Sequence, residues 1–187
     1  MGTPANLRTA RLTLVPATAA LARAETEDRP AFAALLGAAV PDAWPPEMLA
    51  DALPFFLRQL EAGPELAGWI TWYGVADADA SQPRTLVASG GFLGPPQEGK
   101  VEIGYSVLPS FQRKGYGAEM VAGLTDWALA QPGVQRVLAD VALGNTPSVR
   151  LLHRAGFSEI GPSDEPGHIR FEMARGQIIL SESALSR

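Results

Sequence analysis

The spacing of apolar residues changes several times along this chain, and each change marks an element. Leu12 to Val15, after the polar "LRTAR", predicts a short first strand. From Ala17 to Gly63 the apolar positions recur at helical spacing, with interruptions. In "DRPAFAALLGA", Asp28 stands where an N-cap belongs and Pro30 falls in the first turn. A second helical run begins at "WPPE" and carries Met48, Leu49, Ala52, Leu53, Phe56, Leu57 and Leu60 before Gly63, with Pro54 expected to kink it.

Three strand-like runs follow: "LAGWITWYGV" from Leu66, "TLVASGGFL" from Thr85 and "KVEIGYSVL" from Lys100. The links between them, "DADASQP" and "GPPQEG", are short and turn-rich, which predicts an antiparallel meander. Beyond Gly117, Met120, Val121, Leu124, Trp127 and Ala128 form one face of an amphipathic helix that ends near "QPG". Another strand, Arg136 to Leu143, leads to "NTPSVRLLHRAGF". This is a helix with Asn145 or Thr146 as N-cap, Pro147 in its first turn and Gly156 as C-cap. Two weaker strands, near Phe157 to Gly161 and His168 to Ala174, complete the pattern. A meander that runs into alternating helices and strands predicts an α/β (α+β) fold, a mixed central sheet with helices on both faces.

Composition narrows the chemistry. The chain has 187 residues, the size of a single domain spanning 1–187. Cysteine is absent, which excludes a disulfide framework, a thiol nucleophile and a cysteine-based zinc site. His153 and His168 lack a spaced carboxylate partner, so no metal is expected. Acidic residues outnumber basic ones by 20 to 15, and no Lys/Arg stripe offers a nucleic-acid surface. No leader-like or membrane-spanning apolar stretch is visible, and a cytoplasmic protein is expected, with no membrane partner.

Two phosphate-binding spellings fail on physical grounds. "GPPQEGK" matches a P-loop, but Pro95 and Pro96 lack N–H donors, Val101 replaces the metal-binding Ser/Thr, and a strand follows. "GYGAEM" is half a dinucleotide fingerprint, with Asp140 near the place of a ribose-binding acid, but Met120 stands where the third glycine belongs. What remains is Gln112, Arg113, Lys114, Gly115, Tyr116 and Gly117 directly ahead of a strong helix. Helix-start N–H groups carry partial positive charge and wrap phosphate where glycines allow close approach. The alternative is a glycine loop with a solvated basic pair.

"VEIGYSVLPSFQRKGYGAEMV" resembles the strand, loop and helix that hold coenzyme A in the GNAT superfamily of acyl-CoA N-acyltransferases. The likeness extends to "RLTLVPAT" and "NTPSVRLLHRAGF", which are similar to the opening strand and the N-x-x-S to G-F segment of its ribosomal-protein N-terminal acetyltransferase branch. The resemblance implies a GNAT fold in which the strands from Lys100 and from Arg136 splay apart to admit pantetheine. It also implies backbone contacts near Val107, a pyrophosphate on the Arg113 to Ala118 loop, and Asn145 beside pantetheine.

The activity implied is transfer of acetyl from acetyl-CoA to a primary amine of a small molecule or to a peptide N-terminus, by direct attack. The acceptor is expected between the Trp44 to Gly63 region and the loop around Ser163 to His168, and a homodimer is compatible with this reading. Glu102 is the candidate base; an exposed strand glutamate is the alternative. Many relatives carry a Tyr five residues before the Phe of G-F, where this chain has Leu152. Proton donation then falls to Ser148 or to water, with Tyr105 a further candidate, though a strand tyrosine also packs. The rival reading is a non-catalytic acyl-CoA-binding sensor or regulatory module.

Overall fold

The computed structural model describes residues 2–80 and 82–176. In chain order they form β1 (Leu7–Arg8), β2 (Leu12–Pro16), α1 (Ala19–Glu27), α2 (Arg29–Leu36), α3 (Glu47–Ala50), α4 (Leu53–Ala62), β3 (Thr71–Ala76), β4 (Thr85–Phe92), β5 (Lys100–Val107), α5 (Tyr116–Ala130), β6 (Arg136–Ala142), α6 (Thr146–Arg154), β7 (Ser158–Pro162) and β8 (His168–Ala174). The strands build one mixed sheet in the order β1-β2-β3-β4-β5-β6-β8-β7, and the expected mixed α/β class is the one observed. Strands β3 to β5 are the predicted meander, and β2 joins its edge, antiparallel to β3.

Helices cover both faces because the central strands are apolar on both. Every residue of β3 and β4 is buried. Leu12, Leu14 and Trp72 pack with Met120, Leu124 and Ala128 of α5 and Leu152 of α6. Val15, Tyr73 and Val75 point the other way, onto Phe32, Leu36 and Leu60 of α2 and α4.

Local chemistry explains the element ends. The Asp28 carboxylate accepts the Ala31 N–H and caps α2, as its position implied. Pro54 does not kink a long helix: the run divides into α3 and α4, and Pro54 lies in the first turn of α4, where its missing N–H has no intrahelical role. The strand expected from Leu66 begins only at Thr71, because Pro64–Leu66 forms a short 3₁₀ turn. Helix α6 is capped at Ala155, and Gly156 follows it at φ 89°.

One buried polar knot anchors the helical layer. Glu25 of α1 accepts the Trp44 indole N–H at 2.7 Å and the Tyr73 hydroxyl at 2.6 Å. Burial raises the Glu25 pKa, and the two bonds offset this in part. Glu25→Ala strands both donors, and we expect a loss of about 2 to 4 kcal/mol of stability, read as a lower urea midpoint.

Candidate active site

The site begins where two strands part. β6 pairs antiparallel with β8 along its whole length, from Arg136↔Ala174 to Ala142↔His168. Its other edge meets β5 in parallel over three residues only, Lys100↔Arg136, Val101↔Val137 and Glu102↔Leu138. β5 nevertheless runs on to Val107, held to β4 through Ala88↔Val107. No ladder pair joins β5 to β6 past Glu102, which opens a wedge between Ile103–Val107 and the end of β6. At its mouth the Val107 carbonyl accepts the exposed Gln112 side-chain amide at 3.0 Å.

The basic loop lies beyond that mouth. Arg113 at φ 61° and Gly115 at φ 88° both take left-handed backbone ahead of α5. No side chain caps α5, so the amides of Tyr116, Gly117 and Ala118 face outward from its first turn. Arg113 and Lys114 are exposed, and the Lys114 ammonium sits 5.1 Å from the Phe111 ring centroid. The two glycines differ in their reasons. A Cβ on Gly115 would stand 3.0 Å from an Arg11 guanidinium nitrogen, whereas one on Gly117 would stand 2.6 Å from Leu151 of α6. Gly117 therefore serves helix packing, and Gly115 the loop.

Arg11 escaped the sequence reading. Its guanidinium binds the Glu119 carboxylate at 2.8 and 2.9 Å, donates to the Lys114 carbonyl at 2.9 Å and lies over the Tyr116 ring. Glu119 also accepts from the Thr9 hydroxyl and the Arg11 amide, both at 2.6 Å. These donors and the Arg11 charge bring its pKa below the usual carboxylate range against the effect of burial. Partners 108 residues apart leave no local signal.

Glu102 sits at the last β5–β6 pair, partly buried. Burial raises its pKa, Asp140 adds to the rise, Arg170 opposes it, and Glu165 and Asp164 add smaller contributions. Asp140, weighed above as a ribose ligand, is instead engaged by Arg170 at 2.7 and 2.8 Å and by the Ser163 hydroxyl. Those bonds hold its pKa down. Arg170 also reaches Asp164 at 2.7 Å, which pins the Ser163 to His168 loop against β6.

Tyr105 and Ser148 approach across the wedge, one from β5 and the other from the first turn of α6. The Tyr105 hydroxyl oxygen is enclosed and has no hydrogen-bond partner among the described residues. Burial raises its pKa, and Ser148 is near enough to bring it partly back, although the two hydroxyls do not meet at hydrogen-bonding geometry. The Asn145 side chain accepts the Ser148 amide at 3.3 Å, an N-cap contact. Leu152 is fully buried in the core. On the α1–α4 side of the sheet, a cleft of about 210 Å³ is walled by Leu49, Ala52 and Phe56 and floored by Ser89, Gly104 and Ser106. A larger hollow of about 480 Å³ between α1 and α2 is lined by neither Glu102, Tyr105 nor Ser148.

Comparison with known proteins decides the family. The family model described as "Acetyltransferase (GNAT) domain" matches residues 11–158. The chain belongs to the GNAT family. The "uncharacterized N-acetyltransferase YjdG" of Bacillus subtilis (strain 168) is 33% identical over 115 residues, 61% of this chain and 66% of that protein. Across the curated relatives it matches, the chain spans between 44% and 66% of their length.

Solved GNAT structures share the fold. Mycobacterium smegmatis RimJ in complex with CoA-disulfide superimposes with a TM-score of 0.62 at 19% identity, covering 93% of this chain and 90% of that one. Ribosomal-protein-S5-alanine acetyltransferase from Vibrio fischeri gives 0.61 at 15% identity, covering 92% and 98%. Among the described residues, no helix is long and apolar enough to cross a membrane.

Proposed function

We propose that this GNAT chain transfers acetyl from acetyl-CoA to the primary amine of a small molecule or of a peptide N-terminus, in the cytoplasm. The observation that carries the reading is the wedge past Glu102, which ends at the uncapped N-terminus of α5 behind Gly115. The Gly115 position, where a Cβ would already crowd Arg11, fits a multiply anionic ligand on the loop. In this reading the amides of Tyr116, Gly117 and Ala118 hold the pyrophosphate, and Arg113 and Lys114 add charge. The Val107 backbone receives pantetheine once the Gln112 amide yields, as an edge strand receives a partner. Asn145 lies beside it.

Acetyl-CoA supplies the acetyl thioester. Glu102 takes a proton from the incoming ammonium, directly or through water, and Ser148 offers a hydroxyl beside the departing sulfur. The cleft along Leu49 to Phe56 and the pinned Ser163 to His168 loop bound the acceptor. The ribosomal-protein acetyltransferases among the structural neighbours favour a peptide N-terminus as one acceptor to try.

Titration calorimetry with acetyl-CoA, followed by mass spectrometry of mixtures with small primary amines and short peptides, tests this. Binding together with acetylated amine is expected, and absence of binding overturns it. Binding with no product from any amine would favour the sensor reading, which Leu152 at the position of the usual tyrosine keeps in view. Arg113 and Lys114 changed together to Ala should weaken acetyl-CoA by about tenfold or more and flatten the salt dependence of its affinity. An unchanged salt slope would assign both to solvent.

A further inference from the structure

Leu152 closes the place from which a tyrosine serves many relatives, yet another phenol reaches the wedge from the opposite wall. We infer that the Tyr105 hydroxyl is the proton donor to the departing thiolate, with Ser148 as the positioning residue beside it; this rests on the acetyl-CoA reading above. Three observations meet here. Tyr105 lies on β5 three residues past its last pair with β6, inside the splayed stretch. Ser148 lies on the helix that follows β6, so side chains that approach one another span the opening. The enclosed hydroxyl has no partner among the described residues, although a buried polar group ordinarily has one and is destabilising without it.

A hydroxyl left in that condition fits a group whose partner arrives with the ligand. The influences on its pKa are burial, which raises it, and Ser148, which lowers it, with no charged side chain among them. The phenol is thus still protonated at the pH where an amine attacks. As the nitrogen bonds to the acetyl carbon, the carbon–sulfur bond breaks with its electron pair on sulfur. The Tyr105 proton passes to that sulfur, the nitrogen loses its second proton to water as the amide forms, and water returns a proton to the phenolate after the thiol leaves.

Tyr105→Phe tests this without an acceptor. Removing a buried, unpaired hydroxyl leaves the packing of the ring in place, so the variant should fold with an unchanged or higher Tm. Affinities for coenzyme A and desulfo-coenzyme A are then measured by calorimetry at neutral and alkaline pH. The native protein should prefer coenzyme A increasingly as its thiol ionises, because a hydroxyl donor binds a thiolate more tightly than a thiol. Tyr105→Phe should lose that preference, by roughly tenfold at alkaline pH, and keep its affinity for desulfo-coenzyme A. With an amine that the native protein acetylates, thiol release by Tyr105→Phe should also fall by ~10² or more with little change in KM. An identical preference in both proteins would overturn the assignment while leaving the cofactor reading intact. Failure of the native protein to bind either compound would overturn the cofactor reading itself.

Discussion

Glu102→Gln is expected to lower kcat by ~10² to 10⁴, the span of general-base catalysis, and to leave acetyl-CoA affinity unchanged. The amide has the carboxylate's shape without its basicity, so substrate and cofactor still bind while the ammonium keeps its proton. Burial and Asp140 raise the Glu102 pKa, so the acid-side limb of the native rate profile should lie above that of an ordinary glutamate. The same shift fixes the sign for stability. A carboxyl whose folded pKa exceeds its unfolded value contributes stability at low pH and loses it as pH rises through the folded value. At neutral pH the Gln variant should therefore be as stable as the native protein or more so. Full activity of the variant across the acid limb would remove Glu102 from the mechanism, and a lower Tm at neutral pH would remove the burial argument.

Gly115→Glu is expected to weaken acetyl-CoA binding by well over tenfold. Two effects act together. The backbone there is left-handed at φ 88°, which strains any L side chain by about 1 to 2 kcal/mol. The added carboxylate stands where the phosphates are expected, against the amides of Tyr116 to Ala118. Gly115→Ala separates the two, carrying the strain without the charge, and should lose much less. Gly117 is unsuited to this test, since any side chain there collides with Leu151 and disturbs the packing of α5 on α6. Calorimetry with both Gly115 variants, each checked for a native melting profile, reads the result. Native affinity in a folded Gly115→Glu protein would place the pyrophosphate elsewhere.

Much of this molecule follows from short-range rules. Asp28 and Asn145 announce their helices because a cap needs only a side-chain oxygen three residues ahead of an N–H. The meander β3 to β5 follows from apolar runs with turn-rich links. The Gln112 to Gly117 loop stands out because glycines and cations sit directly ahead of an apolar helix, and the family resemblance favours the anion-site reading over a solvated basic pair. Pro54 misled because a proline at the first turn and one in a helix interior look alike until the helix start is known.

Sequence by itself therefore determined most of the elements, the caps at Asp28 and Asn145 and the family's motif segments, and it marked the loop as a candidate anion site. Tertiary structure alone decided that β8 enters between β6 and β7 and fixes β6 along its length, while β5 follows β4, so the two part after Glu102. It alone brought Arg11 to Glu119, Arg170 to Asp140, and Tyr105 toward Ser148. The physical reason is distance along the chain. Caps and periodicity act within a few residues and leave their mark in the local pattern. Strand order and the burial of one hydroxyl opposite another depend on which surfaces are removed from water together, and that is settled only when the whole sheet closes on its helices.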